Sequence, residues 1–375
     1  MTWLGFSKSD HTVRSTLDMA PQLIVDSHIH LWPKETCNET GHAWMTPGVS
    51  LAKPHLLSDY YAVAERQGPS EADIEVKGVV YIETDVRHET PDGDVAIWAK
   101  GPLDEISFLR DAMEGKYDKR DGSMLLGLVP WVPMDQPTPV LEEYLRLAED
   151  RAGPETWKRV KGFRFLLQAI LDHSQFENLV WSGDFIDNLR LLGKRGYSFD
   201  IGVDQHSGGT WQLEAIRKTM QKAHAEVAED EKVIFIINHL CKPEFENIFP
   251  QYPGALQGPF DHWCDAVSAM AECSKTYMKL SGAFSELPSG LGSAEDIAAF
   301  MKPWLSHTWS CFGPSRTMFG SDWPVCNVKG PSGEDSWVAW KDVVKSALAD
   351  EAFNLTNADR ERIWNGTASE AYRLL

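Results

Sequence analysis

His28 and His30 stand one residue apart at the end of the apolar run "QLIVDSHIHLW", and Asp26 lies two residues upstream. In an extended strand side chains alternate between faces, so residues two apart point the same way. Alternation therefore predicts that Asp26, His28 and His30 share one face. The two imidazoles would then lie close enough to hold one metal ion or one oxygen atom together. An isolated H-x-H also arises where two histidines each satisfy their own hydrogen bond, so the rest of the chain has to decide between these readings.

Polar residues recur at the ends of seven further apolar runs. Glu83, Asp85, Arg87 and His88 end or follow "VKGVVYIET", Trp131 lies in "LLGLVPWV", and Arg164 lies in "RVKGFRFL" with Gln168 just beyond. Asp204, Gln205 and His206 follow "YSFDIGV", and His239 follows "KVIFIIN". Lys279 and Ser281 lie in "TYMKLSG", and Asp322 follows "RTMFGS". An H-x-H after one run, a histidine after the sixth and an aspartate after the eighth form a far more specific set than any of them alone. If the runs are strands of one closed sheet, these side chains converge on a shared pocket.

The elements that would position them follow from periodicity. Between the apolar runs lie amphipathic stretches such as "LLSDYYAVAERQ", "PVLEEYLRLAED", "GDFIDNLRLLGKRG", "QLEAIRKTMQKAHAEV" and "PFDHWCDAVSAMAEC". Eight strands alternating with helices predict an α/β fold, the (β/α)8 barrel, in which functional side chains sit at the C-terminal ends of the strands. The expected layout is an N-terminal extension over 1–20 and one barrel domain over 21–375, with surplus length in the loops after strands one, two and eight. A doubly wound open sheet would need a glycine-rich phosphate loop after an early strand, and the first strand ends in "DSHIHLW" instead.

Composition narrows the function classes. A chain of 375 residues with 43% hydrophobic and 24% charged residues can bury a large core. Its net charge of −19 repels nucleic acid and anionic membranes, so neither is an expected partner. No apolar run approaches the length of a membrane span. Cys37, Cys241, Cys264, Cys273, Cys311 and Cys326 show no C-x-x-C and no regular framework, which suits reduced thiols and a cytoplasmic location. A homo-oligomer is compatible with the sequence.

"VDSHIHLW", "VKGFRFLLQ", "INHLCKP", "MFGSDWPVC" and the terminal "IWNGTASEAYRLL" resemble the amidohydrolase superfamily, and within it the branch of sugar-acid and pyrone lactonases. The resemblance runs from residue 22 to the C-terminus and is looser in the loops after strands two and five. It implies an amidohydrolase-type barrel that acts as a carboxylic-ester hydrolase. The implied substrate is a small sugar-acid lactone, L-rhamnono-1,4-lactone or a close aldonolactone, opened to the aldonic acid. Water attack on the ester carbonyl makes an oxyanion. Asp322 would take the water's proton, and His28, His30 and His239 would polarise the carbonyl.

Arg164, Asp204, His206, Glu83, Asp85 and Trp131 are the expected substrate contacts, Arg164 foremost because the resemblance places it at the strand-four mouth, where its fork could hold a hydroxyl pair or a carboxylate. Trp32, Trp44 and Trp323 also flank the proposed site in sequence. Two-metal members of the superfamily use a carboxylated lysine after strand four; here Lys161 and Arg164 have opposite parity and cannot both face the pocket. The expectation is no obligatory cofactor, or one divalent metal, zinc foremost, on His28, His30 and Asp322, and no nucleotide. The rival functions are a zinc-dependent decarboxylase of the same superfamily and a non-catalytic sugar- or metal-binding barrel.

Overall fold

The computed structural model describes residues 22–66, 74–246 and 257–374. The expected N-terminal extension, 1–20, lies outside the described residues. Each of the eight apolar runs forms a strand: β1 (Gln22–Ile29), β2 (Ile74–Ile82), β3 (Leu125–Val129), β4 (Gly162–Arg164), β5 (Ser198–Ile201), β6 (Ile234–Ile237), β7 (Thr276–Leu280) and β8 (Thr317–Phe319).

All adjacent pairs within β1–β3 and within β4–β8 are parallel. The two groups join through the Leu128–Val160 and Trp131–Arg164 bridges. The ring closes between β1 and β8, where His30 N donates to Trp323 O (2.8 Å) and Asp322 N donates to His28 O (2.9 Å). A parallel ring of eight strands is the (β/α)8 barrel that the sequence periodicity predicts.

Helices Leu57–Ala64, Lys100–Met113, Thr138–Trp157, Gly183–Lys194, Thr210–His224, Pro259–Ala271, Ala294–Phe312 and Ser336–Ala349 follow the successive strands. Their apolar faces cover the ring and make the larger core, which takes Ile24 and Ile29 from β1. A smaller core fills the barrel interior, with Val25, Ile82, Val129, Ile236 and Met318. Burying each such aliphatic side chain contributes about 1.5–3 kcal/mol. The C-terminal segment enters this interior core through Ala368, Ala371 and Tyr372. It approaches from the N-terminal ends of the strands, where Arg373 donates to Lys161 O.

Long loops follow β1, β2 and β8, as expected, and another follows β6, part of which lies outside the described residues. Among the described residues no helix is long and apolar enough to cross a membrane, and all six cysteines are free thiols.

Candidate active site

Strict alternation fails at the end of β1. The register against β2 shifts between Asp26 and Ile29, so one extra residue is accommodated there. Asp26 consequently faces the helix layer, while His28 and His30 face the barrel mouth. Asp26 accepts from Tyr60 Oη (3.0 Å) and Trp337 Nε1 (2.9 Å) on two of the covering helices, and from Ser321 N (2.8 Å). The expectation that all three side chains share a face is thus corrected. Asp26 ties the β1 end to the turn that carries Asp322, and it orients no imidazole side chain.

His28 Nε2 and His30 Nε2 lie 3.2 Å apart. Asp322 Oδ1 is 3.3 Å from His30 Nε2, 3.5 Å from His28 Nε2 and 3.8 Å from His239 Nε2. Strands one, six and eight therefore bring the predicted quartet to one point.

His239 gets there through an unusual backbone. His239, Leu240, Cys241 and Lys242 are all left-handed, with φ of 55°, 54°, 62° and 44°. Such conformations cost non-glycine residues about 1–2 kcal/mol each, and surrounding hydrogen bonds must hold them. The turn brings both His239 and Lys242 to the same cavity. "KLSG" on β7 supports this arrangement: Ser281 Oγ is 2.9 Å from His239 Nδ1, and a Cβ on Gly282 would fall 2.4 Å from that nitrogen.

Burial would raise the Asp322 carboxyl, but His239, His30 and Lys242 outweigh it and hold the group below the ordinary aspartate range. Burial pulls His239 down to about 3, against the attraction of Asp322. Burial and the nearby Lys279 ammonium keep His28 far below the usual histidine range. At neutral pH the centre is thus an ionised carboxylate faced by neutral imidazoles at His28 and His239, an arrangement that can accept a proton from water and donate to an oxygen.

A cavity of ≈ 240 Å³ opens over this point, lined by His30, Trp32, Trp44, Leu51, Thr84, Asp85, Arg164, Leu166, Gln168, His239, Lys242, Asp322 and Val325. That is below the roughly 300–1,000 Å³ typical of drug-sized ligands and suits a monosaccharide-sized molecule. Arg164 and Asp85 reach this cavity. Asp85 is pushed up to about 6 by burial and by Glu83, against Arg164.

The other expected substrate contacts do not line this cavity. Glu83 is fully buried and braces Arg164, whose Nε lies 2.5 Å from Glu83 Oε1 and whose Nη2 donates to Glu83 O (2.9 Å). Asp204 shapes its own turn by accepting from Ser207 N (2.7 Å). His206 is partly exposed and faces Glu244 (3.4 Å) and Glu286 (3.9 Å). Trp131 packs edge-on against Tyr144 and Trp98 inside the core. Of the flanking tryptophans, Trp32 and Trp44 line the cavity, while Trp323 packs against His55 and Tyr60.

Lys242 and Thr84 were not among the expected contacts, nor was Gln168, although it stands just past β4. Lys242 was hidden because only the left-handed turn brings it round beside His239. Its ammonium lies 3.0 Å from Glu286 and 3.7 Å from Asp204.

Residues 25–374 match the family model described as amidohydrolase. The chain belongs to the amidohydrolase family. Among curated proteins this amidohydrolase is 27% identical to an L-rhamnono-gamma-lactonase of Scheffersomyces stipitis, over 95% of this chain and all of the relative. It is 25% identical to an L-fucono-1,5-lactonase of Burkholderia multivorans, over 94% of this chain and 96% of the relative. A crystal structure of a Burkholderia multivorans amidohydrolase with bound zinc shares the fold. It has a TM-score of 0.66 and 23% identity, covering 94% of this chain and all of that one.

The spacing of donor atoms tests whether this amidohydrolase could hold one metal. In a tetrahedral zinc site with bonds of about 2.0–2.1 Å, ligand atoms lie about 3.3–3.4 Å apart. His28 Nε2, His30 Nε2 and Asp322 Oδ1 are separated by 3.2, 3.3 and 3.5 Å, so their spacing fits one ion. A ligating histidine usually donates its other N–H to an acceptor. His30 has such an acceptor, Ile82 O, 2.9 Å from its Nδ1. His28 does not: its Nδ1 faces the Lys279 ammonium at 3.2 Å. At the β4 mouth, where the resemblance leads one to look for the lysine of two-metal members, Arg164 reaches the cavity instead.

Proposed function

We propose that this amidohydrolase opens a sugar-acid lactone, L-rhamnono-1,4-lactone or a close aldonolactone, to the corresponding aldonic acid. The observation that carries the reading is the buried Asp322 carboxylate with three imidazole nitrogens within 3.3–3.8 Å of one oxygen, at the floor of a small cavity. Full-length similarity to two sugar lactonases supports the substrate class.

Asp322, held ionised, accepts a proton as water adds to the lactone carbonyl. The oxyanion that forms is stabilised by imidazole N–H groups of the His28, His30 and His239 set; one such donor is worth about 10²–10³ in rate. Collapse of the tetrahedral intermediate breaks the bond to the ring oxygen. Protonated Asp322 returns its proton to that oxygen, leaving a hydroxyl and a carboxylic acid, which ionises in solution and releases one proton. Arg164, Asp85 and Gln168 hold ring hydroxyls, and Trp32 and Trp44 offer apolar faces to the C–H side of the sugar. One divalent ion, zinc foremost, would be held by His28, His30 and Asp322, and when bound it supplies a Lewis acid.

The test is a pH-indicator screen of L-rhamnono-, L-fucono-, L-mannono- and D-glucono-lactones, with and without chelator. The reading expects one acid equivalent released per lactone consumed. Turnover of none of the four, or release of carbon dioxide from an aromatic acid instead, would overturn it.

A further inference from the structure

Behind the imidazole pair runs a second polar chain that the hydrolytic scheme leaves unused. Lys279 on β7 and Asp200 on β5 are fully buried inside the barrel, with Lys279 Nζ 2.7 Å from Asp200 Oδ2. The same ammonium lies 3.2 Å from His28 Nδ1. On its far side Asp200 accepts from the Tyr372 hydroxyl, 2.8 and 3.0 Å from its two oxygens. An apolar pair would fill such an interior at no desolvation cost, as Val25 and Met318 do nearby. The charged pair therefore calls for a reason other than packing.

Donor and acceptor rules supply one. An ammonium has no lone pair to offer, so His28 Nδ1 must accept, and the ring's single proton resides on Nε2. His30 differs: its Nδ1 faces the Ile82 carbonyl, which can only accept, so that nitrogen carries a proton. The outer nitrogens of the H-x-H pair are thus set oppositely, an acceptor on His28 and a donor on His30.

We propose that Lys279, fixed by Asp200 and Tyr372, is a positioning residue that holds His28 as the Nε2–H tautomer. Held so, His28 donates toward the reacting oxygen and is withheld from metal. The catalytic half of this inference rests on the lactonase reading; the metal half does not. With Lys279 in place a zinc ion must displace a proton to gain His28. Without it, the His28 proton can move to Nδ1 and Nε2 becomes a third ligand.

The inference makes activity and metal affinity move in opposite directions in Lys279→Met, which general loosening of the site would not do. The expected result is a kcat about 10²-fold lower with KM nearly unchanged. Zinc should bind at least about tenfold more tightly, the scale on which outer partners of a ligating histidine act. ¹⁵N spectra of labelled histidine should show the His28 proton on Nε2 in the metal-free wild type and on Nδ1 in a substantial fraction of the variant. Lys279→Gln, which restores a neutral donor, should recover part of kcat. If Lys279→Met alone does not fold, Lys279→Met/Asp200→Asn removes both charges and carries the same expectations.

Zinc affinity falling together with kcat, or a wild-type His28 protonated on Nδ1, would overturn the inference. The spectra and zinc titration need no substrate. Failure of the lactone screen and failure of this inference are therefore told apart.

Discussion

Gly282→Ala displaces the His239 ring while leaving residue 239 itself a histidine. Gly282 has φ of +62°, and an added Cβ would sit 2.4 Å from His239 Nδ1 and 2.6 Å from Cγ. Alanine pays about 1–2 kcal/mol for the left-handed backbone, which lowers the melting temperature by a few degrees in a chain of this size. Restoring an ordinary contact of 3.4 Å moves the imidazole by close to 1 Å. A misplacement of about 1 Å costs on the order of 10² in rate. The ring also loses its 2.9 Å contact with Ser281, which fixes its orientation. The expected outcome is a folded protein whose kcat on an aldonolactone, followed by acid release, falls about 100-fold while its thermal melt shifts only slightly. A Gly282→Ala protein with wild-type kcat would refute the argument that His239 must stand where β7 places it.

Further outcomes follow from the same geometry. Asp85, raised to about 6, carries its charge above that pH and loses it below, so its capacity to accept a sugar hydroxyl is present at neutral pH and lost on acidification. The profile of kcat/KM should then fall by about tenfold per pH unit below that point, and Asp85→Asn should remove this limb; an unchanged limb contradicts the assignment. Glu83→Gln leaves the buried Arg164 guanidinium without its counter-charge, which should cost about 3–5 kcal/mol in denaturant unfolding and raise KM; unaltered stability would count against the brace. His206→Ala, on the partly exposed rim outside the cavity, should change kcat/KM by no more than about twofold, the scale of an ordinary surface substitution of about 0.5 kcal/mol.

Much of this arrangement was legible because it follows from short-range pattern. Eight apolar runs became eight strands, since in a buried parallel sheet each strand must be nearly continuous in Val, Ile, Leu and Phe. Residues that end such strands reach the barrel mouth by construction, which is why His28, His30, His239 and Asp322 could be gathered from four separate motifs.

What stayed hidden depended on departures from regular geometry. A single extra residue in β1 turned Asp26 away from the histidines it seemed to accompany, and periodicity carries no mark of a bulge. The left-handed turn after β6 brought Lys242 to the cavity, and nothing in "NHLCKP" announces four positive φ values. Trp131, Asp204 and His206 do follow strands, but loop paths decide which strand-end side chains reach the cavity and which serve the core, a turn or the rim. Lys279 was visible in "TYMKLSG", yet its contact with His28 joins β7 to β1 across the barrel interior, a pairing without a local signal.

The measurement that bears most directly on the central claim is acid release from L-rhamnono-1,4-lactone by wild type and by Asp322→Asn, with folding of both checked by melting. Wild type should liberate one equivalent per lactone. The amide, which cannot take the water's proton, should be slower by at least about 10² at similar stability. A folded Asp322→Asn protein that hydrolyses the lactone at the wild-type rate would contradict the account.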